Sequence, residues 1–95
     1  MIEIRKTAVY EQWFRGLRDT QAKARINARI ARLAEGNPGD CKSIGHGVSE
    51  LRIDHGPGYR VYFVRRRNAV VILLAGGDKS TQESDIKTAL SLAQQ

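Results

Sequence analysis

A chain of 95 residues carrying 16 Lys and Arg against 10 Asp and Glu has room for one core and a net charge of +6. Ordinary apolar and charged fractions, 41% and 27%, argue against disorder, and the excess of cations favours a polyanionic partner: nucleic acid, ribosome, acidic protein or membrane surface. The longest apolar run, Ala69 to Ala75, is too short to span a bilayer. The charged start MIEIRK does not read as a secretion signal, and the lone Cys41 has neither a disulfide mate nor metal-ligand companions. A cytoplasmic protein needing no metal and no cofactor, with no membrane partner, is the expectation.

Ile2 to Arg5 alternates apolar and charged residues as a short strand does. From Ala8 to Leu17, Val9, Trp13, Phe14 and Leu17 recur at helical spacing. Asp19 or Thr20 suits the N-cap of a second helix over Gln21 to Glu35, whose stripe is Ala22, Ile26, Ile30 and Leu33. Lys23, Arg25, Arg29 and Arg32 spread over the rest of that helix as a solvated face. Gly36-Asn37-Pro38-Gly39-Asp40 ends it and opens a glycine-rich loop to residue 47.

Three strands follow, near 48–54, 59–66 and 69–76. His55-Gly56-Pro57-Gly58 links the first pair and a tight turn at Arg66-Arg67-Asn68 links the second. The last strand is apolar on both faces, as a central strand requires. Ser80 or Thr81 then caps a final helix buried through Ile86, Ala89, Leu90 and Ala93. The order β-α-α-β-β-β-α over residues 1–95 is one α+β domain: an antiparallel sheet packed by an N-terminal helical hairpin and a C-terminal helix.

Alternation divides the chemistry of the strands. Leu51, Ile53, Tyr59, Val61 and Phe63 fall on core faces, which leaves Glu50, Arg52, Arg60 and Tyr62 together on an open face. Two guanidiniums beside an aromatic suit a phosphodiester, because the planar fork stays charged and binds phosphate bidentately. Cross-strand ion pairs of Arg52 and Arg60 with Glu50 or Asp54 satisfy the same pattern.

Three segments in register, GVSELR (47–52), GPGYRVYF (56–63) and GGDKSTQ (76–82) with Asp85-Ile86, resemble the RelE/ParE toxin superfamily, in its HigB-like branch of phage-derived addiction-module killer proteins. The resemblance runs the length of the chain. It implies the toxin of a type II toxin–antitoxin module that cuts mRNA on the ribosome by attack of the 2′-hydroxyl, without metal. Its partners would be the ribosome, mRNA and a cognate helix-turn-helix, HigA-like antitoxin. The ParE branch implies the alternative of a DNA gyrase poison without nuclease chemistry. On the ribonuclease reading, Arg60 meets the scissile phosphate, Arg52 and Lys79 share the charge, Tyr62 stacks on a base or donates a hydrogen bond, and Glu50 is a possible base. Arg65, Arg66, Arg67, Lys42 and His55 would contact RNA at the periphery. Where RelE-type sequences place a C-terminal tyrosine this chain has Ile86, so the base stays open among His55, Glu50 and Asp78.

Overall fold

The computed structural model describes all residues from Met1 to Gln95. Strands β1 (Glu3–Lys6), β2 (Cys41–Gly45), β3 (Val48–Ile53), β4 (Tyr59–Arg66) and β5 (Val70–Gly77) form one sheet in the order β1-β5-β4-β3-β2. Helices α1 (Ala8–Gly16) and α2 (Thr20–Ala34) precede β2, and a 3-10 turn at Lys79–Thr81 leads into α3 (Gln82–Ala93). The expected α+β class is present. The sheet is mixed, because β1 runs parallel to β5 at its edge while the other pairs are antiparallel.

Both hairpin helices sit on one face. The α2 stripe of Ala22, Ile26, Ile30 and Leu33 packs with Tyr10 of α1 onto Leu51, Ile53, Tyr59, Val61, Phe63, Val71 and Leu73. Each fully buried Ile or Leu there contributes roughly 1.5–3 kcal/mol. In α1 the inward residue is Tyr10 rather than Val9, which is 41% exposed. Thr7 caps that helix by accepting from the Tyr10 amide, and its hydroxyl donates to the Leu74 carbonyl at 2.6 Å, which sets the entry angle onto β5. Asp19 caps α2 through the amides of Gln21 and Ala22.

The glycine-rich segment 36–47 is not all loop, since Cys41–Gly45 pairs with β3 as an edge strand. The strand's only half-buried residues, Cys41 and Ile44, are three apart and pack against opposite cores, so no period-two pattern stands out in sequence. The tight turn after β4 forms at Arg67-Asn68, both at φ 55°, and is closed by the Ala69 amide donating to the Arg66 carbonyl at 3.1 Å.

The opposite face is where the expectation needs correcting. It is not open. Helix α3 lies across it and makes a second core from Val48, Tyr62, Val64, Leu74, Ala75 and Ala89, with Ile86 and Leu90 at its margin. A bulge in the β4–β5 ladder, where Tyr62 pairs with Ala75 and Phe63 with Leu73, turns both Leu74 and Ala75 toward α3. At the end of β5 the approach is so close that a methyl group on Gly77 would overlap the Asp85 carboxylate of α3. On the other side, one on Gly76 would overlap the Trp13 ring. No helix is long and apolar enough to cross a membrane.

Candidate functional site

Helix α3 covers only part of its face, and the rim of what it leaves holds the cations. Arg52 and Arg60 are direct cross-strand partners in the β3–β4 register. Two like charges set opposite each other oppose pairing. Here each is offset by a carboxylate: Arg52 Nη2 lies 3.3 Å from Asp40 Oδ1, and Arg60 Nε lies 3.8 Å from Glu50 Oε1. Lys79 enters from the 3-10 turn. The two meet around Gly58, whose φ of +80° is natural only to glycine. A β-carbon there would lie 3.6 Å from Lys79 Cβ and 3.7 Å from Arg60 Nη1. The Lys79 amide donates to the Pro57 carbonyl at 3.4 Å, tying the turn to the β3–β4 loop. Asp40, Arg52, Ile53, Asp54, Gly58, Arg60 and Lys79 thus line one open cleft of about 300 Å³.

The remaining residues singled out in sequence lie elsewhere or are engaged. Tyr62 is fully buried beneath α3, where no base can stack on it, and its hydroxyl has no hydrogen-bond partner. Burial first, and then the nearby Glu50 carboxylate, push its pKa well above the ordinary tyrosine value. Glu50 is 2% exposed, does not line the cleft, and accepts a 2.8 Å hydrogen bond from Gln82 Nε2. His55 is held against Asp19 at 3.1 Å and lies parallel to the Tyr59 ring. Asp78 caps the 3-10 turn, and its bond from the Ser80 hydroxyl, followed by that from the Ser80 amide, lowers its pKa. Arg66 donates to the Ala93 carbonyl at the end of α3, whereas Arg65, Arg67 and Lys42 are exposed without an ion-pair partner.

Three contributors were not evident in the sequence. Arg29, placed on a solvated face by helical spacing, reaches back to the carbonyls of Arg52 (2.6 Å), Pro38 (3.0 Å) and Asp40 (3.1 Å). It fixes both Arg52 and the Asp40 segment that faces it. Gln82 reaches across to β3, a pairing separated by 32 positions that no local pattern announces. Asp54 is the cleft carboxylate with no ion-pair or hydrogen-bond partner of its own. No group of three or more His, Cys, Asp or Glu side chains is arranged to hold a metal ion.

The family model described as phage-derived protein Gp49-like (DUF891) matches residues 12–95, which include every cleft residue. The chain belongs to the Gp49-like family. This is a toxin-like, addiction-module family related to RelE-type toxins. An uncharacterized protein of Haemophilus influenzae is 54% identical over 94 residues, spanning 99% of this chain and 95% of that relative. The Gp49-like match takes in α2 through α3 entire, so the cleft and the helix that roofs its neighbour are both inside the shared region.

Proposed function

We propose that this Gp49-like protein is the toxin of a type II toxin–antitoxin module, of the HigB-like kind, and that it cleaves mRNA in the ribosome. The observation that carries this reading is the pairing of Arg52 with Arg60 in register, with Lys79 lining the same cleft. A sheet built for stability alone gains nothing from opposed guanidiniums; a site for a phosphodiester does.

Cleavage by the neighbouring 2′-hydroxyl places extra negative charge on the phosphorus centre. Fixed cations aimed at that charge lower the barrier, each well-placed donor contributing on the order of 3–4 kcal/mol. Arg60 is the least exposed of the three, its side chain 14% exposed against 37% for Arg52 and with Lys79 on the surface, and takes the scissile phosphate. Arg52 holds a flanking phosphate, and Lys79, which meets Arg60 around Gly58, faces the leaving 5′-oxygen and can give it a proton. Asp54 is the cleft carboxylate left free to accept the 2′-hydroxyl proton. The exposed Lys42, Arg65 and Arg67 supply salt-sensitive contacts to RNA backbone. A helix-turn-helix antitoxin is the proposed partner.

The test is induction in a bacterial host of wild-type, Arg60→Ala and Lys79→Ala proteins with and without the cognate antitoxin. Wild type should arrest growth, each variant should not, and all should still bind antitoxin. Growth arrest by Arg60→Ala at full strength, accompanied by an induced DNA-damage response, would overturn the ribonuclease reading in favour of a gyrase poison.

A further inference from the structure

Glu50 is the one charged side chain among the buried residues. It sits on β3 at the boundary between the second core and the cleft, where the same face carries Val48 and Tyr62. A carboxylate is a costly occupant of such a position, and a buried ion pair is weak evidence for stability, because an apolar replacement of similar volume is often as good. Its two oxygens divide between two elements. Oε2 accepts from Gln82 of α3 at 2.8 Å, and Oε1 faces Arg60 Nε of β4 at 3.8 Å. The Arg60 Nε–H is itself buried without a hydrogen-bond partner. The guanidinium is therefore oriented by charge while its donors stay unspent.

We propose that Glu50, locked by Gln82, is a positioning residue: it aims the Arg60 guanidinium into the cleft and keeps it there before substrate arrives. Glu50 does not touch substrate. A tighter, doubly hydrogen-bonded pair would consume the donors that a phosphate requires. At 3.8 Å, the carboxylate narrows the rotamers of Arg60 through its buried Nε and leaves the Nη groups unpaired. Gln82 supplies what keeps Glu50 from turning toward Arg60, since its amide occupies the other oxygen from a helix that the end of β5 holds in close contact. Docking of α3 is thus coupled to the readiness of Arg60, although α3 contributes nothing to the cleft lining. The effect on rate rests on the ribonuclease reading; the effect on Arg60 order does not.

The test combines ¹⁵N relaxation of the Arg60 Nε–H in the free protein with single-turnover cleavage of mRNA on programmed ribosomes. The variants are Glu50→Gln, Gln82→Ala, Arg60→Ala and the double variant Glu50→Gln/Arg60→Ala, with antitoxin binding as the check on folding. The Arg60 Nε–H order parameter should exceed roughly 0.8 in wild type and drop below roughly 0.6 in Glu50→Gln, the range of a flexible group. The cleavage rate should fall about 100-fold in Glu50→Gln, as expected for a misplaced catalytic group, with apparent affinity changed less than about threefold. Gln82→Ala should give the same signature in weaker form, and it serves if Glu50→Gln fails to bind antitoxin. In the Arg60→Ala background Glu50→Gln should have no further effect, because residues acting through one another are not additive. An unchanged Arg60 order parameter in both single variants, or additive rate losses, would overturn the positioning role. A wild type that binds programmed ribosomes and leaves mRNA intact overturns the ribonuclease reading alone, and the relaxation data then decide the positioning role by themselves.

Discussion

Arg60 and Tyr62 are neighbours in the sequence and share a strand face, yet the fold sends them to different fates. Arg60 reaches the rim of the cleft, and Tyr62 is sealed under α3. Alternation tells which face a side chain takes, whereas what covers that face is a tertiary fact; hence Arg52 and Arg60 were legible and the burial of Tyr62 and Glu50 was not. A buried hydroxyl without a partner adds little, so Tyr62→Phe should fold with an unchanged or raised melting temperature, read by thermal denaturation with antitoxin binding as control. The hydroxyls of Tyr10 and Tyr62 also set a limit at high pH. Burial raises both above the ordinary tyrosine value, so they stay protonated in the fold while the unfolded chain ionises near about 10. The stability they confer is complete below that pH and is lost as pH rises past it. Denaturant midpoints should therefore decline on the alkaline side, and less steeply in Tyr62→Phe; an identical decline would deny that Tyr62 stays protonated in the fold. Within the cleft, Asp54→Asn should slow cleavage by at least about 100-fold with little change in binding if Asp54 accepts the proton, measured by single-turnover kinetics.

Helix α3 contributes nothing to the cleft lining, and on the proposed positioning role the site nonetheless depends on it. Its docking relies on Gly77, where a β-carbon would meet Asp85, so Gly77→Ala should lower stability by about 1–3 kcal/mol through overpacking. It should also release Gln82 from Glu50, so that activity falls even at temperatures where the protein stays folded. Thermal denaturation beside cleavage at low temperature separates the two effects. Arg29 does for the other rim what Gln82 does here. Arg29→Ala leaves the carbonyls of Arg52, Pro38 and Asp40 without that donor and should cost about 1–3 kcal/mol. Neither clamp is visible in local sequence, since each joins a helix to a distant strand or loop. What periodicity does supply is element identity: the α2 stripe and the β3 and β4 alternation are long enough to read, while β2, with two half-buried residues, is not.

At the scale of the molecule, the charge and the fold point to one division of labour. The α1–α2 layer secures the sheet through the larger core, and α3 closes a smaller core on the far side, leaving the cleft at its margin. The net charge of +6 lies mostly outside the cleft, so it should govern encounter with RNA more than the chemical step. Raising salt should weaken ribosome or RNA binding steeply while the single-turnover rate of the bound complex changes little. The GVSELR, GPGYRVYF and GGDKSTQ segments that carry the family resemblance also supply much of the cleft and its support: Glu50, Arg52, Gly58, Arg60, Lys79 and Gln82 all lie within them. Asp40 and Arg29 lie outside them and needed the fold to bring them in. The most direct measurement is mapping of mRNA 5′ ends by primer extension after brief induction of wild type and of Arg60→Ala. New ends at fixed positions within codons of translated messages, present with wild type and absent with Arg60→Ala, are the result expected; growth arrest by wild type without any such ends would contradict the assignment of this cleft to mRNA cleavage.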